Sequence, residues 1–180
     1  MIPETLTITE RQILVNQFKI LATIGFDNDY ETKIEILENG YTEQYFEVFD
    51  VATEEIPMTI CEETSQILQM FRRISDTVET LSAEEKDSLD LEKITFEGFD
   101  ANHDPHYHYM TFLVDKMDLW QEYKGMYLNS HSRFPMSKYR KMLEYQYYLL
   151  DNDQYDLNRE DLKCLIELLS SSKKIVALQA

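Results

Sequence analysis

Apolar residues recur along the chain every three to four positions, the spacing of helices that bury one face. Four glycines and four prolines leave few turns for a β fold. The pattern therefore predicts an all-α protein, a compact orthogonal bundle of about seven to eight helices. The only β structure expected is a minor extended contact near residues 94–99.

Residues typical of helix ends divide this pattern into segments. The capping-box spacing of Thr7 and Glu10 predicts a first helix that ends near Ile24. A second helix is expected over about residues 29–39, because Gly40 suits the position after a helix end, and a short third helix follows.

The same reasoning divides the rest of the chain. A capping box over residues 59–62 predicts the start of the longest helix, and Ser82 precedes a short polar one. A helix over about residues 104–123 is apolar on two faces and is expected at the centre, whereas Pro135 and Asn158 mark the starts of the last two. The residues expected to be buried on the central helix include Met110, Leu113, Val114 and Met117.

Two glutamines interrupt apolar stripes. Gln17 and Gln146 each have apolar residues three and four positions away on both sides, so both amides are expected to be buried. Because an unsatisfied buried amide costs about 1–3 kcal/mol, each should find hydrogen-bond partners.

Length and cysteine use predict a single intracellular domain. A chain of 180 residues can bury one core, so residues 1–180 are interpreted as one helical domain. Cys61 and Cys164 lie in apolar stripes, as free buried thiols do in a reducing compartment. There is no signal peptide and no apolar run of about 20 residues, so a cytoplasmic protein without a membrane partner is expected.

The charge argues against nucleic acid as a partner. The net charge of −17 repels phosphate backbones. It is unevenly distributed, with −9 on residues 1–60, −9 on residues 61–120 and +1 on residues 121–180. Like-charged copies of the chain would therefore repel each other least through the last third.

Three histidines are candidate metal ligands. His103, His106 and His108 lie within six residues, and imidazole with carboxylate suits zinc, nickel or iron. On a helix His106 and His108 would point to different faces, so we favour surface or capping roles. No glycine-rich phosphate loop is present, and no cofactor is expected.

A second group of polar residues lies in predicted loops, where side chains can converge on a cleft. The catalytic candidates are His131, Ser130 and Asp100, and the ligand-binding candidates are Asn102, Asn129 and Arg133. Turn and capping roles are favoured for them. Asp100 is expected to accept backbone amides at the turn into the next helix, with Gly98 allowing the close approach.

An aromatic helix and an apolar C-terminal segment predict self-association. Tyrosine and arginine are enriched at protein interfaces, and this part of the chain carries almost no net charge. The predicted interface residues are Tyr147, Tyr148, Ile175, Val176 and Leu178.

Four segments together indicate a family. TERQILVNQFKIL at 9–21, EILENGY at 35–41, ITFEGFDAN at 94–102 and LNSHSRFPMSKYRKML at 128–143 occur in the order seen in the YfbU family, which the chain resembles almost end to end. The resemblance implies one mainly helical domain of bacterial origin that tends to self-associate and has no established activity.

Two classes of function therefore remain. The favoured hypothesis is an oligomeric helical interaction or regulatory protein, with a homo-oligomer or another protein as its partner. The alternative is an enzyme or small-ligand binder that uses the Asp100/Asn102 and Asn129–His131 loops. An enzyme requires these side chains to converge in a pocket, whereas an interaction protein can use them as caps.

Overall fold

The computed structural model describes residues 3–25, 30–49, 54–132 and 134–170, with Phe134 described by its backbone alone. Within these residues the chain forms eight α-helices, three short 3-10 turns and no strand, which confirms the all-α prediction. The α-helices are α1 (Ile8–Ile24), α2 (Tyr30–Asn39), α3 (Tyr45–Val48), α4 (Met58–Thr80), α5 (Ala83–Asp87), α6 (Pro105–Asp115), α7 (Phe134–Asp151) and α8 (Arg159–Ser170). The 3-10 turns are Thr42–Gln44, Leu91–Ile94 and Gln121–Tyr123.

The chain divides into two compact units, residues 1–55 and 56–180. Each unit has a hydrophobic core of its own. The assignment of residues 1–180 to a single domain stays a prediction.

The first unit is built on the packing of α1 against α2. Its buried apolar residues are Val15, Ile36, Leu37, Tyr45 and Val48. Arg11 donates a hydrogen bond of 3.2 Å to the carbonyl of Leu37, and an exposed ion pair joins Lys19 to Glu38 at 2.6 Å. Both contacts link α1 and α2 beside their shared core.

In the second unit the longest helix, α4, contacts α6, α7 and α8. The spacing predicts a buried stripe of Ile60, Thr64, Ile67, Leu68, Phe71, Ile74 and Val78, and the five from Thr64 to Ile74 are buried, whereas Ile60 and Val78 are half-buried. Met70 and Thr77 are buried beside them without having been predicted. The central position that the sequence assigns to the helix beginning near Asp104 therefore belongs to α4.

The predicted helix over residues 104–123 is too long. The α-helix ends at Asp115, because Asp118 and Trp120 take left-handed backbone with φ of 53° and 54°, which no α-helix can continue. Leu113 and Val114 are buried as expected, but Met117 is 53% exposed, so its predicted burial is wrong.

Helix N-termini follow the predicted caps at three places. Thr7 and Ser82 each form a complete capping box, and the Asn158 side chain accepts hydrogen bonds from two amides of α8 at 2.8 and 3.2 Å. The capping box predicted at Thr59 is wrong, because α4 begins at Met58 with Pro57 at the cap.

The two glutamines have different environments. Gln146 is 6% exposed and accepts a hydrogen bond of 2.9 Å from Arg73, so its predicted burial and pairing are confirmed. Gln17 is exposed, and so are Ile13, Ile20 and Leu21 around it on α1, which contradicts its predicted burial.

Candidate functional site

The loops that carry the candidate polar residues cross in the second unit. Phe99 forms an isolated parallel β-bridge with Asn129. The amide of Phe99 donates to the carbonyl of Leu128 at 3.1 Å, and the amide of Ser130 donates to the carbonyl of Phe99 at 3.0 Å. This bridge is the minor extended contact that the sequence predicts, at the edge of the expected region.

Gly98 makes the crossing sterically feasible. A β-carbon at this position would lie 1.9 Å from the carbonyl oxygen of Leu128, and the φ of +85° favours glycine. The hydroxyl of Tyr139 bonds to the same turn, since it donates to the carbonyl of Gly98 at 3.0 Å and accepts from the amide of Glu97 at 2.9 Å. Burial raises the pKa of Tyr139, so this phenol stays protonated as a structural donor.

Side chains on both loops complete the crossing. Asp100 is 3% exposed, and its carboxylate accepts the amide of Asn102 at 2.9 Å and contacts Nδ1 of His103 at 2.7 Å. Asn129 Oδ1 accepts the amides of Ala101 at 3.2 Å and His131 at 3.0 Å. The backbone contact expected of Asp100 is therefore present, and Asn129 supports the neighbouring turn in the same way.

The catalytic candidates do not form a nucleophile and base pair. Ser130 Oγ donates to the carbonyl of Ser132 at 2.9 Å, while Nε2 of His131 pairs with the hydroxyl of Tyr127. Asn102 is exposed, and Arg133 lies outside the described residues. The fold thus brings the two loops together, but the side chains of Ser130 and His131 form hydrogen bonds to neighbouring groups and not to each other.

The three histidines have three separate environments. His103 contacts Asp100, His108 is exposed, and His106 is only 3% exposed, so a surface role for His106 is wrong. Among the residues that the structure describes, no three histidine, cysteine or acidic side chains are grouped to hold a metal ion.

His106 belongs to a network that joins three helices. Its Nε2 lies 2.8 Å from Oε2 of Glu63 on α4, and Arg140 on α7 binds both oxygens of the same carboxylate at 2.7 and 3.0 Å. Hydrogen bonding to the Arg140 guanidinium lowers the pKa of Glu63 below its ordinary value, so this carboxylate is charged at neutral pH. The imidazole also stacks on Phe99 at a centroid distance of 5.4 Å, which connects the network to the loop crossing.

Sequence reasoning missed both Tyr139 and the His106 network. Glu63 and His106 are 43 residues apart, and although His106 was a candidate metal ligand, nothing within either helix indicates the other residue as its partner. The local signal at His106 was its place on the buried side of α6, in line with Met110 and Leu113.

No described helix is both long and apolar enough to cross a membrane. The part of the chain that the structure describes contains helices and no strand, so the protein is of the all-α class. The polar side chains of its candidate site hold the two loops by hydrogen bonds to the backbone. The chain belongs to the YfbU family, because the model of the YfbU domain matches residues 5–167.

Two relatives extend this comparison. The chain is 31% identical over 158 residues to "UPF0304 protein MJECS11" of Methanocaldococcus jannaschii, covering 85% of this chain and 94% of that protein. It is 25% identical over 143 residues to "UPF0304 protein PM1500" of Pasteurella multocida, covering 77% of this chain and 85% of that relative. Neither name states an activity, and because the first organism is an archaeon, the bacterial origin implied by the resemblance is not confirmed.

Proposed function

We propose that this protein is a self-associating helical interaction protein without catalytic activity, and that helix α1 carries its main interface. The observation behind this proposal is an apolar face on α1 that the first unit leaves uncovered. It consists of Ile13, Ile20, Leu21 and Ile24, which are 43% to 74% exposed. At 100° per residue these positions fall on one side of the helix, opposite the side that carries buried Val15.

The charge of α1 favours a second copy of this chain as its occupant. The helix carries Glu10, Arg11 and Lys19 in a chain whose net charge is −17. Two copies that meet through α1 therefore juxtapose an element of net charge +1, so the helix itself adds no repulsion, although residues 1–60 as a whole carry −9. The exposed amide of Gln17 lies within the same face, where it can pair with its symmetry mate and set the register of the two helices.

The candidate loops support a non-catalytic role. Ser130 and His131 each bond to another group instead of to each other. The Asp100 carboxylate and the Asn129 amide oxygen accept backbone N–H groups. A general base and nucleophile need mutual hydrogen-bond reach, which these contacts do not provide.

Sedimentation velocity at micromolar concentration and moderate salt tests the α1 interface. The native chain should sediment as a dimer or larger, and Ile20→Asp should dissociate it without loss of helix content. Met58→Asp is the matched control, since Met58 is 72% exposed on another helix and receives the same charge change. A monomeric native chain, or a dimer that survives Ile20→Asp, would contradict the proposal.

A second candidate surface lies on α7. Tyr147 and Tyr148 are 40% and 36% exposed, although Tyr147 donates to Gln66 and Tyr148 stacks against Tyr145. The other residues of this predicted interface, Ile175, Val176 and Leu178, lie outside the described residues. If deletion of residues 173–180 dissociates the dimer while Ile20→Asp leaves it intact, the interface is the predicted one at α7 and the C-terminal segment. Either interface should weaken at low salt, because screening of the like charges is lost.

We also propose a cytoplasmic location. Cys61 and Cys164 are both free and half-buried, which suits a reducing compartment. Fractionation of cells that express the chain would test this, and recovery in the membrane or outside the cell would contradict it.

A further inference from the structure

A cavity of about 350 Å³ opens beside α4 in the second unit. Its floor is apolar and aromatic and includes Phe71, Ile74, Phe96 and Leu128. Ligand pockets in proteins have volumes of about 300–1,000 Å³, and an apolar cavity of about 150 Å³ already takes up benzene. This cavity therefore has room for a ligand of two fused rings.

One polar group on the wall of the cavity lacks a protein partner. Tyr123 is 8% exposed and lines the cavity, and its hydroxyl makes no hydrogen bond to a described residue. The solvent-excluded polar atoms without a partner in the described residues do not include this hydroxyl oxygen, so it keeps contact with solvent and can bond to water or to a ligand. Burial raises the pKa of Tyr123, so the hydroxyl is neutral and can both donate and accept.

The rim of the cavity carries an acid without a cationic partner. Glu79 and Ser75 lie on the exposed side of α4 and pair with no described residue. The described lining includes no lysine or arginine. The rim and the negative charge of the whole chain therefore favour a cation over an anion.

We propose that this cavity binds a small aromatic amine, with its ring on the apolar floor, a polar ring atom at the Tyr123 hydroxyl and its ammonium group at Glu79. The apolar floor contributes binding affinity by burying the ring, and the two polar groups fix the orientation of the ligand. Small-ligand sites in proteins usually combine these two contributions. Met126, 59% exposed at the mouth, has a flexible side chain that adapts to the outline of the ring. This site adjoins the loop crossing through Leu128 but includes none of the catalytic or ligand-binding candidates, and it does not depend on the proposed self-association.

Calorimetric titration of the full-length chain with tryptamine tests the site, with indole-3-acetate as the matched probe of opposite charge. Tryptamine should bind saturably, and indole-3-acetate should bind about tenfold more weakly or not at all, since about 1.4 kcal/mol of charge preference corresponds to tenfold. Failure of tryptamine to saturate at millimolar concentration, or equal affinity for the two probes, would overturn the proposal.

Two variants at the rim of the cavity test the assigned contacts, and a third serves as a control. Glu79→Gln should weaken tryptamine binding by about threefold to tenfold, as expected for a partly exposed ion pair. Glu62→Gln is its control, since Glu62 is an exposed acid on the same helix outside the cavity lining, and it should bind normally. Ser75→Trp should block the mouth and abolish binding.

Tyr123→Phe separates a ligand contact from a structural one. Because the hydroxyl pairs with no described residue, Tyr123→Phe without ligand should unfold at the same urea concentration as the native chain. The same variant should bind tryptamine about fivefold more weakly. Equal effects of Glu79→Gln and Glu62→Gln, or unchanged binding in both Tyr123→Phe and Ser75→Trp, would overturn the assignment of the site.

Discussion

The carbonyl oxygen of Leu128 lies 1.9 Å from the position that a β-carbon at Gly98 would occupy. This close approach lets the neighbouring residue, Phe99, bridge to Asn129, so that the turn before α6 and the segment before α7 are held as one crossing. The glycine is therefore required by a contact with another segment as well as by its own φ of +85°.

Replacing Gly98 tests this contact. Gly98→Ala should lower the free energy of unfolding by about 3 kcal/mol or more, because left-handed strain adds to a backbone clash. Gly125→Ala is the matched control, since Gly125 has a φ of +76° with nothing within 4 Å of its β-carbon position. It should lose only about 1–2 kcal/mol from the backbone strain. Equal losses in urea unfolding would show that the contact with Leu128 is unimportant.

Asp100 should prove to be a structural residue. Asp100→Ala removes the acceptor of the Asn102 amide and should cost about 1–3 kcal/mol in urea unfolding, because a part-buried N–H loses its partner. Asp76→Ala, at an exposed acid on α4, should change stability by less than about 0.5 kcal/mol. If Asp100→Ala were as stable as the native chain, the structural role would be wrong.

Glu63 should make stability depend on acid pH. Its folded pKa is depressed by Arg140, so the stabilisation is fully present above the ordinary glutamate pKa of 4.5 and is lost as the pH falls through the folded value. Glu63→Gln should therefore be less stable than the native chain near neutral pH, and the difference should shrink below pH 4.5. Urea unfolding of both proteins at a series of pH values measures this, and a difference that is constant with pH would refute it.

The stability lost on truncating a buried residue of α6 can be compared with the loss at an exposed residue just after the helix. Leu113→Ala should cost about 2–5 kcal/mol, because Leu113 is 5% exposed and its removal leaves a cavity. Met117→Ala, two residues beyond the helix, should stay within about 0.5 kcal/mol, since this side chain is 53% exposed. A small loss at Leu113 would place α6 at the periphery of its unit.

The candidate site shows where prediction from sequence stopped. The turn and capping roles of Asp100 and Asn129 follow from residue types that favour such bonds within a few positions, although Asn129 also reaches Ala101 on the other loop. Burial of His106 and its contact with Glu63 could not be predicted, because the partner lies 43 residues away on a different helix. The absence of a Ser130 and His131 pair likewise depends on side-chain directions that adjacency in sequence does not determine.

What the sequence alone determined is local. The all-α class, the capping boxes at Thr7 and Ser82 and the buried stripe of α4 depend on spacings of three and four residues, which helix geometry converts directly into faces and ends. The tertiary structure decided the rest. It ended α6 at Asp115, buried Gln146 while leaving Gln17 exposed, and fitted Gly98 against Leu128. Those outcomes depend on which distant segment packs against each residue. Apolar periodicity shows which face of a helix a residue occupies, but it does not show whether another part of the chain covers that face.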